Sequence, residues 1–74
     1  MKVKLRLFAS LRAGRFKEQA VEAGEGITPM ELLRRFGIEK KDVAILLVNG
    51  RDGEFDRALA DGDVVSVFPP LGGG

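Results

Sequence analysis

The sequence predicts an α+β domain in which one main helix covers one face of a mixed sheet. Three observations carry that expectation. The N-terminus alternates polar and apolar residues, a short helix near residues 28–37 has both ends marked, and the β-rich segment Val64 to Phe68 is closed by two prolines.

Val3, Leu5 and Leu7 alternate with Lys2, Lys4 and Arg6, the period-two pattern of a strand with one buried face, and Phe8 continues the alternation outward. Leu11 to Arg15, with Gly14 inside it, reads as a loop. Phe16 to Ala23 reads as a second, antiparallel strand, although Glu18, Glu22 and its alanines dilute the pattern. Gly24-Glu25-Gly26 is a turn without the lysine or spacing of a phosphate loop. The helix follows. Thr28 is placed as N-cap, Pro29 as first helical residue, and Glu31 closes a capping box three positions after the cap. Ile27 and Leu32 have the spacing of a hydrophobic staple, while Met30, Leu33 and Phe36 give the helix its apolar side. Gly37 is positioned to end it in a left-handed conformation, with Ile38 covering the last turn.

Val43 to Val48 is a nearly unbroken apolar run of strand length, so burial on both faces is expected. Asn49-Gly50 is a hairpin dipeptide, and Asp52-Gly53 signals further irregularity. Phe55 and Leu59 are apolar islands in a polar stretch. Asp61-Gly62-Asp63 makes a turn before the last strand, and Pro69-Pro70 ends it because proline cannot donate to a ladder. The order strand, strand, helix, strand, strand in one domain, residues 1–74 with 69–74 as an extended tail, is that of the β-grasp.

Composition narrows the chemistry. With 74 residues and no Cys, His, Tyr or Trp, the chain has no disulfide, thiolate zinc site, iron–sulfur ligand or histidine base, and a deep enclosed pocket is not expected. A net charge of +1 gives no reason to expect a nucleic acid or a membrane as main partner. The N-terminus lacks a signal-peptide core, and no apolar run approaches the ~20 residues that span a bilayer. A soluble cytoplasmic protein is the expectation. Asp52, Glu54 and Asp56 lack the glycine and distal glutamate of a calcium loop. Arg34-Arg35 and Lys40-Lys41 read as solvated charges.

The tail Leu71-Gly72-Gly73-Gly74 has nothing to offer a core, and its glycines are costly to order. The bland reading is a frayed end. Against it, Phe68-Pro69-Pro70 is a stiff spacer that lifts the glycines off the last strand, leaving the Gly74 carboxylate as the exposed group. A carboxylate is a poor acyl donor until adenylation by ATP gives it a leaving group. A tail without side chains threads a narrow channel, and the four residues past Pro70 reach about 14 Å at ~3.5 Å each.

Parity adds a surface. If Val3, Leu5 and Leu7 face the helix, Phe8 faces away; if Val65 and Val67 do, Phe68 faces away with Ser66. With first and last strands adjacent, the two rings form an exposed apolar patch at the root of the tail, a partner anchor unless one of them turns inward. Lys2, Lys4 and Arg6 beside it either favour an acidic partner rim or are a solvated strand face.

Lys4-Leu5-Arg6-Leu7-Phe8-Ala9-Ser10-Leu11-Arg12 resembles the opening of the MoaD/ThiS family of ubiquitin-like sulfur carriers. Asn49-Gly50, Asp61-Gly62-Asp63 and Phe68-Pro69-Pro70-Leu71-Gly72-Gly73-Gly74 resemble its second half, so the likeness covers the whole chain. The Phe-Pro-Pro leans toward MoaD, the small subunit of molybdopterin synthase, rather than ThiS, which carries sulfur for the thiazole of thiamine. The resemblance implies no catalytic residue and no bound cofactor or metal. A MoeB/ThiF-like activating enzyme would use ATP to adenylate Gly74, sulfur would replace one oxygen, and a MoaE-like large synthase subunit (or a thiazole synthase) would receive the tail. It also implies partner contacts through Phe8, Phe68, Pro69 and Pro70. The family's third apolar contact, just after the Asn-Gly turn, falls on Arg51-Asp52. Gly73 matches the penultimate glycine, Gly72 stands where alanine, serine or threonine is more usual, and the chain is shorter between strands two and three. Alternatives are another sulfur-transfer pathway, a protein modifier joined through Gly74 to lysines, and an inert interaction module.

Overall fold

In the computed structural model, which describes residues 1–71, strands β1 (Lys2–Leu7), β2 (Glu18–Glu22), β3 (Ile45–Val48), β4 (Arg51–Asp52) and β5 (Val64–Phe68) form one mixed sheet in the order β2-β1-β5-β3-β4. Helix α1 (Pro29–Arg34) follows β2. The first and last strands pair in parallel at the centre, Leu5 opposite Val65 and Leu7 opposite Val67. The remaining ladders, β1 with β2, β3 with β5 and β3 with β4, are antiparallel. This is the expected β-grasp arrangement, with one strand more than the sequence suggests. β4 is two residues long, too short to carry any periodicity of its own.

Alternation sorts the sheet into two faces. Val3, Leu5, Leu7, Val21, Val65, Val67 and Leu46 point inward and are buried with Leu32, Leu33 and Ile38 in one core. Full burial of each such side chain contributes about 1.5–3 kcal/mol, so the inner face dominates the favourable side of folding. Helix α1 sits on that face through buried Leu32 and Leu33, and its ends are fixed locally. The Glu31 N–H donates to Thr28 Oγ1 (3.2 Å) and the Thr28 N–H donates back to Glu31 Oε1 (3.1 Å), completing the capping box. At the other end Gly37 has φ +74°. The Ile38 N–H donates to the Leu33 carbonyl (3.0 Å) and the Gly37 N–H to that of Arg34 (3.1 Å), a Schellman closure.

Two readings are corrected. The Val43–Val48 run is not buried on both faces: Leu46 is 7% exposed, but Ile45 is 50% exposed and Ala44 is exposed. Helix α1 covers one side of the sheet only, so Ile45 and Leu47 face outward, while Ala44 precedes the strand. Leu11–Arg15 is not simply loop: Ala9–Arg12 is a turn of 3-10 helix, with Leu11 in the core. Its entry residue Ala9 has φ +51°, a conformation that alanine does not advertise in sequence. Leu59 and Phe55, the apolar islands, reach the core as well, Leu59 buried and Phe55 partly so.

At the far end of β3, Asn49 (φ +54°) and Gly50 (φ +79°) make the two-residue hairpin turn that joins Val48 to Arg51. The Asn49 side chain also serves β5: its Oδ1 accepts from the Val64 N–H (2.9 Å) and its Nδ2 donates to Asp63 Oδ1 (2.9 Å). Among the described residues, no helix is long and apolar enough to cross a membrane.

Candidate functional site

The parallel β1–β5 pairing brings Phe8 and Phe68 together on the face of the sheet away from the helix. Their rings stack with centroids 4.2 Å apart and planes 12° apart. Neither ring turns into the core: both residues are half-buried and stand outside the core cluster. The Phe8 N–H donates to the Val67 carbonyl (3.2 Å), which fixes the first ring against the last strand. Such a stack is worth about 0.5–1.5 kcal/mol beyond its area, enough to hold the pair as one flat apolar plate.

A third residue extends the plate. Ile45 is the register partner of Phe68 across the antiparallel β3–β5 ladder, so Phe8, Phe68 and Ile45 form one row. In the next row Ser66 lies between Arg6 and half-buried Leu47. Ser66 is 8% exposed although it faces outward, its small side chain flanked in register by the larger Arg6 and Leu47. Sequence reasoning missed Ile45 because an unbroken apolar run conceals its parity. The signal that fixes it is the pairing of Ile45 with Phe68. The position just after the Asn-Gly turn is Arg51-Asp52, exposed in β4, and adds nothing apolar.

Cations edge the plate. The guanidinium carbons of Arg6 and Arg12 lie 5.4 Å and 5.3 Å from the Phe8 centroid, within cation–π range. Arg6 pairs with Glu18 on β2 (3.3 Å), and Lys4 shares the same carboxylate (3.5 Å). Arg12 instead donates through Nε to the Leu7 carbonyl (2.7 Å).

The root of the tail leaves the sheet beside this plate. The Phe68 carbonyl accepts from the Ala44 N–H (2.8 Å), after which Pro69 and Pro70 have no N–H to continue the ladder. Pro69 is half-buried and Pro70 exposed, and Leu71 is 98% exposed, so nothing apolar holds it down. Gly72, Gly73 and Gly74 lie outside the described residues. Beside Pro69 and Pro70 runs an open groove of ≈ 420 Å³, lined also by Ser10, Leu11 and Lys41, too open to exclude water from a reaction.

Comparison with known proteins agrees with this geometry. The sequence pattern of the ThiS family matches residues 5–74. No curated protein sequence matches the chain. Among solved structures, the chain is similar to a putative molybdopterin converting factor subunit 1 from Pyrococcus furiosus, 34% identical, TM-score 0.76, over 96% of this chain and 99% of that one. It has the fold of SAMP1 from Haloferax volcanii, 24% identical, TM-score 0.78, with each chain covered completely. It also has the fold of a chain in the complex of subunits 1 and 2 of the molybdopterin-converting factor from Helicobacter pylori, 24% identical, TM-score 0.67, again with complete coverage. A β-grasp sheet that frees its last strand at Phe68 and a family match that runs to Gly74 lead to one assignment: the chain belongs to the ThiS family of small ubiquitin-like sulfur carriers.

Proposed function

We propose that this protein carries sulfur on the carboxylate of Gly74. In the first step the carboxylate attacks the α-phosphorus of ATP on a MoeB/ThiF-like activating enzyme, forming an acyl-adenylate and releasing pyrophosphate. A sulfide-level donor then adds to the glycyl carbonyl; the C–S bond forms, the bond to AMP breaks, and a thiocarboxylate remains. The protein supplies no catalytic residue and binds no cofactor. It contributes a docking plate and a tail without side chains, and the partner enzyme supplies the chemistry. Because the activation consumes ATP, the cytoplasm is the compartment that suits it.

The observation that carries this reading is the Phe8–Phe68 stack directly at the root of Pro69-Pro70. A partner that grips the plate holds the start of the tail at a fixed distance from its own active site. The favoured pathway is molybdopterin synthesis, with this chain as small subunit and a MoaE-like large subunit as acceptor. Support comes from the 34% identity to a protein named as a converting-factor subunit 1 and from the two-subunit complex of the Helicobacter relative. Likeness to SAMP1 in fold favours a second reading, a protein modifier that uses the same activated Gly74 but a lysine as acceptor. A ThiS-like role in thiazole synthesis shares every step up to the acceptor.

Intact mass spectrometry after incubation with ATP, a sulfur donor and the activating enzyme tests the proposal. Exchange of oxygen for sulfur adds about 16 Da, as does oxidation of Met1 or Met30, so fragmentation must locate the change. A gain on Gly74, absent from a variant carrying one extra residue after it, is the expected result. No gain at Gly74 with such enzymes refutes the carrier reading and leaves an interaction module. Transfer to a pterin precursor, to a thiazole precursor or to a protein lysine then separates the three acceptors.

A further inference from the structure

The cations around the aromatic plate are not equivalent. Lys4 and Arg6 converge on the two oxygens of Glu18, so much of their charge is answered within the fold. Arg12 makes no ion pair among the described residues, and its one polar contact is the Leu7 carbonyl. That contact uses Nε. It pins the guanidinium beside the Phe8 ring and leaves the two terminal nitrogens, the edge that matches a carboxylate in a two-point hydrogen bond, for another group. The 3-10 turn Ala9–Arg12 fixes the origin of the side chain, because Leu11 is buried in the core one residue earlier. A cation held in place in advance loses little freedom when it pairs, which favours a specific contact over a general charge effect.

We propose that Arg12 is a specificity-determining residue of the docking plate: it takes an aspartate or glutamate side chain of the partner protein that seats on Phe8, Phe68 and Ile45. The inference rests on the docking reading given above and adds the chemistry of the partner's rim, an acidic residue placed next to an apolar seat. A partner with a neutral or basic residue there leaves the guanidinium unanswered as the interface dries, a penalty that rejects it.

The probe is the large synthase subunit encoded by the same genome, titrated against the full chain in 50 mM and in 500 mM salt. Phe68→Ala is expected to weaken binding more than ten-fold at both concentrations. Arg12→Gln is expected to lose roughly ten- to a hundred-fold at low salt, with the gap narrowing at high salt as screening shortens. Arg12→Lys, a point charge without the fork, falls between wild type and Arg12→Gln, and Arg12→Glu binds worst. Reversing one carboxylate of the large subunit to arginine should restore binding to Arg12→Glu alone. Wild-type affinity in Arg12→Gln, or a loss equal at both salt concentrations, overturns the inference. The second result would make Arg12 a brace for the Phe8 ring. Equal binding by wild type and Phe68→Ala overturns the docking reading itself, and the role of Arg12 with it.

Discussion

The two faces of the sheet are built from the same strands but answer to different demands. On the inner face Leu5, Leu7, Val65 and Val67 are completely buried, and each touches the core that α1 closes. On the outer face Phe8, Phe68 and Ile45 form an apolar row that stands outside the core and is only partly covered, with Arg6 and Arg12 at the Phe8 ring. Folding requires the first set. The second set is partly open apolar surface that contributes less to folding, and it is the surface on which the proposed docking rests. The contrast separates residues that make the fold from residues that, on the docking reading proposed above, would serve recognition.

Four substitutions sharpen or break that contrast. Leu5→Ala removes a side chain with 0% exposure from the centre of the inner face and should cost about 2–5 kcal/mol in urea unfolding. A loss below 1 kcal/mol would mean that the core is looser than its burial implies. Phe68→Ala should cost at least about 2 kcal/mol of partner binding, by calorimetry, with a smaller loss of stability. If stability falls as far as it does in Leu5→Ala, the plate belongs to the fold and the two faces do not divide the labour. Thr28→Ala breaks the capping box that seats α1 on the inner face. About 1 kcal/mol is expected from the unfolding midpoint, and no change in binding. Ile45→Thr should leave thermal stability within about 0.5 kcal/mol of wild type, since half of Ile45 is already in water, while partner affinity drops measurably.

Gly53 tests the sheet's edge. A Cβ built there would lie 2.7 Å from Val48 Cγ2, while the Gly53 N–H donates to the Leu46 carbonyl (2.9 Å). Gly53→Ala should therefore destabilise by about 1–3 kcal/mol in chemical denaturation, through strain rather than lost burial.

What was legible in the sequence was whatever local chemistry decides. Thr28, Pro29, Glu31 and Gly37 announce a helix because capping needs particular side chains within a few residues. The alternation of β1 and the prolines after β5 announce strand limits for the same kind of reason. Ile45 was not legible, since its exposure depends on which side of the sheet the one helix covers, a fact of tertiary arrangement. Nor was the two-residue strand β4, or the turn at Ala9, whose positive φ goes against the preference of alanine. The joining of Phe8 to Phe68 was legible only once first and last strands were placed side by side, because parity says which way a ring points but not what it meets. Arg12 sits inside the motif that resembles the family's opening, yet what distinguishes it from Arg6 is tertiary: its Nε bonds to the Leu7 carbonyl, whereas Arg6 pairs with Glu18.

The parallel pairing of β1 with β5 also has a meaning for synthesis. The strand at the middle of the sheet, between β1 and β3, is the last of the five described strands in chain order, so the ribosome makes it after the other four. Until Val64 to Phe68 emerge, β1–β2 and β3–β4 are two separate hairpins, and two strands apiece are marginal on their own in water. A product truncated before Val64 lacks the strand that joins them. Closure of the sheet therefore waits on the strand that leads directly into Pro69 and Pro70.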